Sequence, residues 1–459
     1  MLPLWSKLRR LLRDFGTARS GNVAITFAMA TLPVIGGVGA AVDYSHANSV
    51  KVALQAALDS TALMLSKEAV NDTSSALQSN AVKYFNAMFT RPEGTNVAVT
   101  ASYTTSGGSA VVVNGQVDVP TVFMGVMGYS KITVSGSSTA KWGSQRLRVA
   151  LALDNTGSMA DDGKMTALKS ATKSLLTQLK AAAGTNGDVY VSIIPFAKDV
   201  NAGSSNYNGT WIDWDDWESA NGSWQYVQTC TSTSRRGRSQ CSGSNQWVPA
   251  NHNTWNGCIT DRDQNYDQNV TAPNPSDANL PSNQASTLFP AEQYDACPVA
   301  MKGLSYDWTG MNSLVDSMSP NGGTNQPIGL AWAWQSLVGG GPLTAPAKDS
   351  NYTYQDIIIL LSDGLNTQDR WYGNGSSTST QVDSRMYKSS DGSGTCANAK
   401  AAGVTIYTIQ VNTGGDPTST LLQNCASDSS KFWMLTSASG ISTAFNQIGT
   451  NLTQLRVAK

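Results

Sequence analysis

Between residues 20 and 42 the chain carries no charged side chain, and residues 23–42 (VAITFAMATLPVIGGVGAAV) are almost purely apolar. A helix of that length spans about 30 Å, the thickness of a bilayer core, so the pattern predicts one membrane crossing. Lys7, Arg9, Arg10, Arg13 and Arg19 precede it against the single acid Asp14, while the far side opens with Asp43. The positive-inside rule then keeps the N-terminus in the cytoplasm and exports the rest. The competing reading is a signal peptide cleaved near Gly39, Ala40 and Ala41; an apolar core longer than the usual 7 to 15 residues favours a retained anchor. Pro33 and the small residues Gly36, Gly37, Ala40 and Ala41 suit a kink and close helix contact in lipid, or are merely compositional.

Beyond the span the period stays helical. Val50, Leu54, Ala57, Leu58, Ala62 and Leu65 fall on one face, which predicts an amphipathic stalk that needs a partner surface. Residues 97–142 then alternate or are β-branched, with Gly107 and Gly108 as a turn, and predict a small antiparallel β-unit packed on the stalk.

After residue 144 apolar strands alternate with helical patterns: residues 147–153, VYVSIIPF, DIIILLSDG, VTIYTIQV and KFWML, with the amphipathic KMTALKSATKSLLTQLKAA after the first. Such alternation predicts an α/β unit with a mostly parallel sheet, whose ligands gather at the carboxyl ends of the strands. Three oxygen-bearing residues leave the first strand at alternate positions, Asp154, Thr156 and Ser158. Thr324 follows a Gly-Gly turn at the mouth of a helix, and Asp363 stands at the end of the strand in DIIILLSDG. Carboxylates and hydroxyls are ligands for a hard divalent cation. Asp154, Thr156 and Ser158 would serve equally as N-caps of the helix that follows.

Two resemblances rest on these residues. The run RSGNVAITFAMA, Pro33, the Gly-rich exit, Asp43-Tyr44 and LQAALDSTAL resemble the N-terminal segment of TadG-like Flp pilus-assembly proteins over about the first 65 residues. Related pilins are cut after a Gly, with a Glu five residues later; Gly21 stands in the first position, but Thr26 replaces the Glu. From about residue 146 to 452 the order D-x-T-x-S, Thr, Asp resembles a von Willebrand factor A domain with a metal-ion-dependent adhesion site. That resemblance implies a Rossmann-like fold with helices on both faces of the sheet. It also implies that Thr156, Ser158 and Thr324 supply hydroxyl oxygens, while Asp154 and Asp363 hold the ion directly or through water. Mg²⁺ is the expected ion, with Mn²⁺ or Ca²⁺ as alternatives, and its open position would take a carboxylate from a protein partner. Thr156 stands where the family more often has Ser.

Composition narrows the function. With 31 Lys and Arg against 32 Asp and Glu, no global positive field draws a nucleic acid. His46 and His252 are the only histidines, and no G-x-S-x-G elbow, phosphate-binding G-x-x-x-x-G-K-[ST] loop or HExxH occurs, so an enzyme is not expected. Asp161 and Asp162 are expected to face solvent or stand behind the ligands. Cys230, Cys241, Cys258, Cys297, Cys396 and Cys425 all lie in the second half, an even set that suits disulfides in an oxidising compartment. Four of them fall in an insertion at about residues 200–305 with six tryptophans, expected to be irregular and stapled; its aromatics form either a binding surface or a small core. Cys396 and Cys425 flank VTIYTIQV and are expected to pair, the other four having three possible pairings, and Arg235, Arg236 and Arg238 are expected at a solvated tip.

The expected organisation is a cytoplasmic tail (1–19), a transmembrane helix (20–43, within a Tad-like segment to about 66), a stalk with a β-unit (44–143) and the A domain (144–459). The chain is thus expected in a bacterial inner membrane with its bulk periplasmic or exported, binding pilus or secretion-system components or serving in adhesion. A secreted hydrolase with a structural divalent ion and a metal-free envelope scaffold are the competing functions. A reporter fused after Lys459 is expected to be active only outside the cytoplasm; cytoplasmic activity would reverse the orientation.

Overall fold

A computed structural model of the chain describes residues 22–69, 72–105, 108–142, 145–232, 239–281 and 283–457. The basic flank with Asp14, Gly21, Gly107 and the arginines 235, 236 and 238 lie outside the described residues. The chain divides into two compact units, Met1–Trp142 and Gly143–Lys459.

In the first unit one helix, α1 (Asn22–Leu65), runs through the apolar span and on into the stalk, with Pro33 inside it. Among the described residues it is the one helix long and apolar enough to cross a membrane. Past Asp43 its stripe is covered: Val50, Leu54, Leu58 and Leu65 are wholly buried. The partner surface is an antiparallel sheet of β1 (Thr95–Thr104), β2 (Ser109–Pro120) and β3 (Lys131–Trp142), with β2 in the middle. Gly115 lets β2 approach the helix, since a Cβ there would lie 2.9 Å from Leu58 Cδ2. A second helix, α2 (Ser74–Met88), adds Leu77, Ala81 and Phe85 to this core and is N-capped by Thr73, which accepts from the Ala76 amide. A short helical turn, α3 (Phe123–Val126), lies in the connection from β2 to β3.

The second unit opens with β4 (Gln145–Asp154), α4 (Lys164–Ala182) and β5 (Val189–Phe196). The insertion contributes β6 (Val200–Asn201), β7 (Ile212–Asp213), α5 (Asp215–Ala220), β8 (Gly222–Ser232), β9 (Ser239–Pro249), β10 (Cys258–Ile259), β11 (Phe289–Pro290) and β12 (Lys302–Ser305). The chain continues through α6 (Trp308–Ser317), α7 (Gln326–Val338), β13 (Thr353–Ser362), α8 (Thr380–Met386) and α9 (Thr395–Ala401). It closes with β14 (Thr405–Val411), α10 (Thr420–Cys425), β15 (Phe432–Leu435) and α11 (Gly440–Val457). The main sheet runs β10-β6-β5-β4-β13-β14-β15, with β12 also on β5. From β5 to β15 its strands are parallel, while β6, β10 and β12 pair antiparallel.

Helices on both faces explain why these strands read as continuous apolar runs. Leu147, Val149, Leu151 and Leu153 of β4 face α4, α6 and α11; Ala150 and Ala152 face α7 to α10. The small side chains on that second face leave room for α7, where Gly329 brings the helix so near β5 that a Cβ would meet Phe196 at 2.5 Å. The one charged residue in the first strand's apolar run, Arg148, stands beside Asp356 in register and pairs with it at 3.4 Å.

The insertion is less irregular than its composition suggests. β8 and β9 form an eleven-residue-per-strand hairpin. Its Ser, Gln and Thr content hides the β-alternation that apolar strands display. The aromatics divide: Trp217 and Trp255 are buried with Phe289 in the same core that covers Ala150 and Ala152 of the main sheet, whereas Trp224 on the hairpin is 71% exposed. All six cysteines are paired, as Cys230–Cys241, Cys258–Cys297 and Cys396–Cys425. Non-reducing peptide mapping should recover these three bridges. Replacing Cys396 and Cys425 together by Ser, which opens a loop of 29 residues, should cost about 3–4 kcal/mol in the chain-entropy description; six alkylatable thiols in the native protein would contradict the assignment.

Candidate metal centre

Asp154 is the last residue of β4, and its position is fixed by the strands on either side. The β4–β13 register puts Leu153 against Leu361, so Asp154 lies beside Ser362, whose hydroxyl donates to Asp154 Oδ2 at 2.6 Å. The other carboxylate oxygen accepts from the Thr156 amide at 2.8 Å. The loop after β4 is held by its backbone: Asn155 N–H donates to Phe196 O, Asn321 N–H to Asn155 O and Gly157 N–H to Gly322 O. Gly322 sits at φ +87°, and a Cβ there would meet Tyr294 Oη at 2.5 Å, so the turn that presents Thr324 requires glycine. Thr324 is held in turn by Thr367, whose hydroxyl accepts from the Thr324 amide at 2.8 Å.

The five expected donors share one volume. Thr156 Oγ1 and Ser158 Oγ are 3.1 Å apart, and Ser158 Oγ donates to Asp363 Oδ1 at 2.7 Å. A Cβ placed on Gly364 would lie 3.7 Å from Ser158 Oγ and 3.9 Å from Thr324 Oγ1, so these hydroxyls flank the same point. Asp363 itself lies one residue past the end of β13, at the first loop position. Asp154, Thr156 and Thr324 are buried, and Ser158 is exposed and forms the mouth.

The alternative role as helix caps is not the one the geometry gives these oxygens. The N-cap of α4 is Gly163, with no side chain accepting there, and the 3₁₀ turn Gly157–Gly163 begins at Thr156 without a side-chain cap bond. Asp161 and Asp162 are exposed, outside the cluster of donors.

Burial, and after it the negative charge of Asp363, pushes the Asp154 carboxyl up to about 7; the Ser362 and Thr156 hydrogen bonds oppose the shift. A residue unforeseen in the sequence meets the second carboxylate. The Lys164 ammonium, buried at the start of α4, lies 2.6 Å from Asp363 Oδ2 as an ion pair without aligned hydrogen-bond geometry. A lysine opening an amphipathic helix reads as a surface charge, so only the fold reveals this contact.

The insertion closes in on the same strand ends. Asn325, next to Thr324, donates to Asp261 Oδ2 at 2.8 Å and to the Lys198 carbonyl at 3.0 Å. Arg370 ties Asp261 O, Asp263 and Asp216 together from the loop after β13. Asp261 is pushed up to about 7 and Asp199 well above the usual carboxylate range, both chiefly by burial. These acids are scattered along the chain and carry no motif. Among the described residues no group of three His, Cys, Asp or Glu has metal-holding geometry; the candidate centre holds two carboxylates, and hydroxyls make up the rest. His252 is not part of it: it stacks on Trp214 at 3.8 Å and pairs with Glu218 at 2.8 Å.

The raised pKa of Asp154 has a definite sign. Between about pH 4 and 7 the folded, ion-free chain holds a proton that the unfolded chain releases, so stability falls as pH rises through that window and levels off above 7. In chelator, Asp154→Asn should therefore gain stability over the parent at pH 8 by on the order of a few kcal/mol and little at pH 4. An unchanging difference between parent and variant across that range of thermal melts would show that Asp154 is not so perturbed.

Residues 21–64 match the family model described as Flp pilus-assembly TadE/G-like. No curated protein matches the chain. Among solved structures the chain is similar to the pilus adhesin SpaC from Lactobacillus rhamnosus GG, at 14% identity and TM-score 0.34 over 78% of this chain. It spans 34% of that adhesin's length. It is also similar to the vWF domain of the type V pili tip protein Mfa5 from Porphyromonas gingivalis, at 12% identity and TM-score 0.35, covering 68% of this chain and 97% of that one. A third is the PilB minor pilin from Streptococcus sanguinis, at 12% identity and TM-score 0.35, covering 78% and 79%. The chain thus has an N-terminal helix whose residues 21–64 match the TadE/G-like Flp pilus-assembly model, followed by an α/β unit with a mostly parallel sheet and a disulfide-bonded insertion.

Proposed function

We propose that this protein is an anchored component of a pilus or secretion system in the bacterial inner membrane, its N-terminus cytoplasmic and its bulk exported, and that its α/β unit binds a protein partner through a divalent cation without catalysing a reaction. The observation that carries the reading is the convergence of Asp154, Thr156, Ser158, Thr324 and Asp363 at the carboxyl ends of β4 and β13, with none of these oxygens spent on capping a helix. The donors fit the group. All are hard oxygens, suited to Mg²⁺, Mn²⁺ or Ca²⁺, and the negative charge of Asp363 disfavours ionisation of Asp154, which a bound cation would offset. A bound ion would supply a Lewis-acidic position that accepts a carboxylate from the partner. The chain's own part is to hold the donors: Ser362 and the Thr156 amide orient Asp154, Thr367 orients Thr324, and the exposed Ser158 leaves the approach open.

The contact between Lys164 and Asp363 favours a second reading, a metal-free scaffold in which the ammonium is the resident cation. The two readings separate in thermal melts and calorimetry on the full chain in detergent. Metal binding predicts a midpoint that rises with Mg²⁺ or Mn²⁺ and falls with chelator, about 2.7 kcal/mol of stabilisation at a hundredfold excess over Kd, and loss of this response in Asp154→Ala with the fold intact. The scaffold reading predicts no divalent effect on the parent and destabilisation by Lys164→Met. Absence of divalent binding to the folded parent would overturn the metal-dependent function.

A further inference from the structure

The connection between β2 and β3, residues 121–130 (TVFMGVMGYS), contains no charge and presents its apolar side chains outward. Val126 is 90% exposed, Val122 73%, Tyr129 65% and Met127 51%. This segment is fastened to α1. Asp43, at the exit of the apolar span and itself buried, accepts from the amides of Val122, Phe123 and Met124 at 3.1, 2.9 and 2.7 Å. From there the segment lies back along the span. Gly39 makes room for Phe123, since a Cβ would lie 2.4 Å from Phe123 Cβ, and a Cβ on Gly36 would touch Met127 Sδ at 3.4 Å.

Gly36 lies seven residues inside the span from Asp43, about 10 Å along the helix. If α1 crosses a bilayer, the residues beside Gly36 and Gly39 share its depth. We infer that the β2–β3 connection is a second membrane anchor, a short apolar finger inserted into the outer half of the bilayer against the transmembrane helix. The inference rests on the anchored reading of residues 23–42. The occupant of the exposed side is lipid: an apolar cleft of about 430 Å³ between Phe27 and Ile35 on α1 and Val126 and Met127 on the finger continues the lipid-facing surface of the span. The finger's polar boundary is Asp118 and Lys131, which pair with each other at 2.6 Å just before and after it, where a bilayer's headgroups begin. Insertion of about 10 Å is the depth reached by interfacial amphipathic segments. It removes an exposed apolar patch from water and fixes the tilt and rotation of α1, which a single span leaves free.

The test places an environment-sensitive nitrobenzoxadiazole dye on Val126→Cys or, separately, on Ile35→Cys, in the full chain with its native disulfides intact. The protein is reconstituted into vesicles of phosphatidylethanolamine and phosphatidylglycerol. Quenchers are lipid carrying a doxyl group near the headgroup end of its acyl chain, and aqueous iodide. The inference expects blue-shifted emission at position 126, lost to doxyl lipid and insensitive to iodide. If position 35 is quenched by doxyl lipid while position 126 is quenched by iodide, the helix is in the membrane and the finger is not, which overturns the inference alone. Protection of position 126 from both quenchers would mean that protein, such as a second copy of the chain, covers it, and overturns it as well. If neither position responds to doxyl lipid and both respond to iodide, the anchored reading fails and the inference with it.

Discussion

The α/β unit is organised by the burial of β4 on both faces and both edges. A strand in that position must be apolar on alternate sides and must pair in one register, because a shift by one residue would exchange the leucines under α4 and α11 for the alanines under α7. The Arg148–Asp356 pair enforces the same register from the other end of the strand, since a slip would leave a guanidinium that burial already disfavours without its acid. The chemistry follows from that constraint. With Leu153 held against Leu361, the first residues beyond the apolar runs, Asp154 and the Ser362-Asp363 pair, emerge side by side. Two carboxylates that would avoid one another in solution are brought together by packing they take no part in.

The insertion contributes rigidity to the same strand ends by a different route. Its Trp217, Trp255 and Phe289 join Val200, Ile212 and Ile259 in the core that covers Ala150 and Ala152 of β4, and two disulfides and charged cross-links fasten the rest. Arg370 illustrates the economy: one guanidinium satisfies a carbonyl and two carboxylates from separate stretches of the insertion, fastening it to the loop that follows β13. Asn325 does the same from the mouth of α7, bonding Asp261 and the carbonyl of Lys198 with one amide. The loops that present Thr324 and Asp363 are therefore framed by residues remote in sequence.

What could be read from the sequence was what a single period or a single spacing encodes. The stalk positions Val50 to Leu65 declare a helix face, the apolar runs declare buried strands, and D-x-T-x-S with Thr324 and Asp363 declares a set of oxygens. Helix α2 was not foreseen, because its buried residues, Leu77, Ala81 and Phe85, are diluted by polar neighbours and its cap, Thr73, is an ordinary threonine. The β8–β9 hairpin carries no such signal, because Ser, Gln, Thr and Gly interrupt Trp224, Tyr226, Val227, Trp247 and Val248, and the pairing of Cys230 with Cys241 opposite it is a contact between strands. Lys164 meets Asp363 from the start of α4 and Ser362 meets Asp154 from the neighbouring strand, and no pattern along one stretch of sequence announces contacts of that kind.

The same reasoning bears on why the first unit needs its sheet. A helix whose apolar stripe continues past Asp43 would by itself expose Leu54, Leu58 and Leu65 to water, and a sheet whose inner face is Val111, Val113 and Val117 would expose that face equally. Each surface covers the other, and Gly115 sets how closely they approach. Asp43 stands at a boundary: among the described residues α1 before it meets the apolar turn of the β2–β3 connection, and after it the helix packs against the sheet and α2. A carboxylate at that position suits both, because it ends the apolar run and at the same time accepts from the backbone N–H groups of Val122, Phe123 and Met124. Moving it by one residue would rotate the acceptor by about 100° around the helix and leave those amides unpaired.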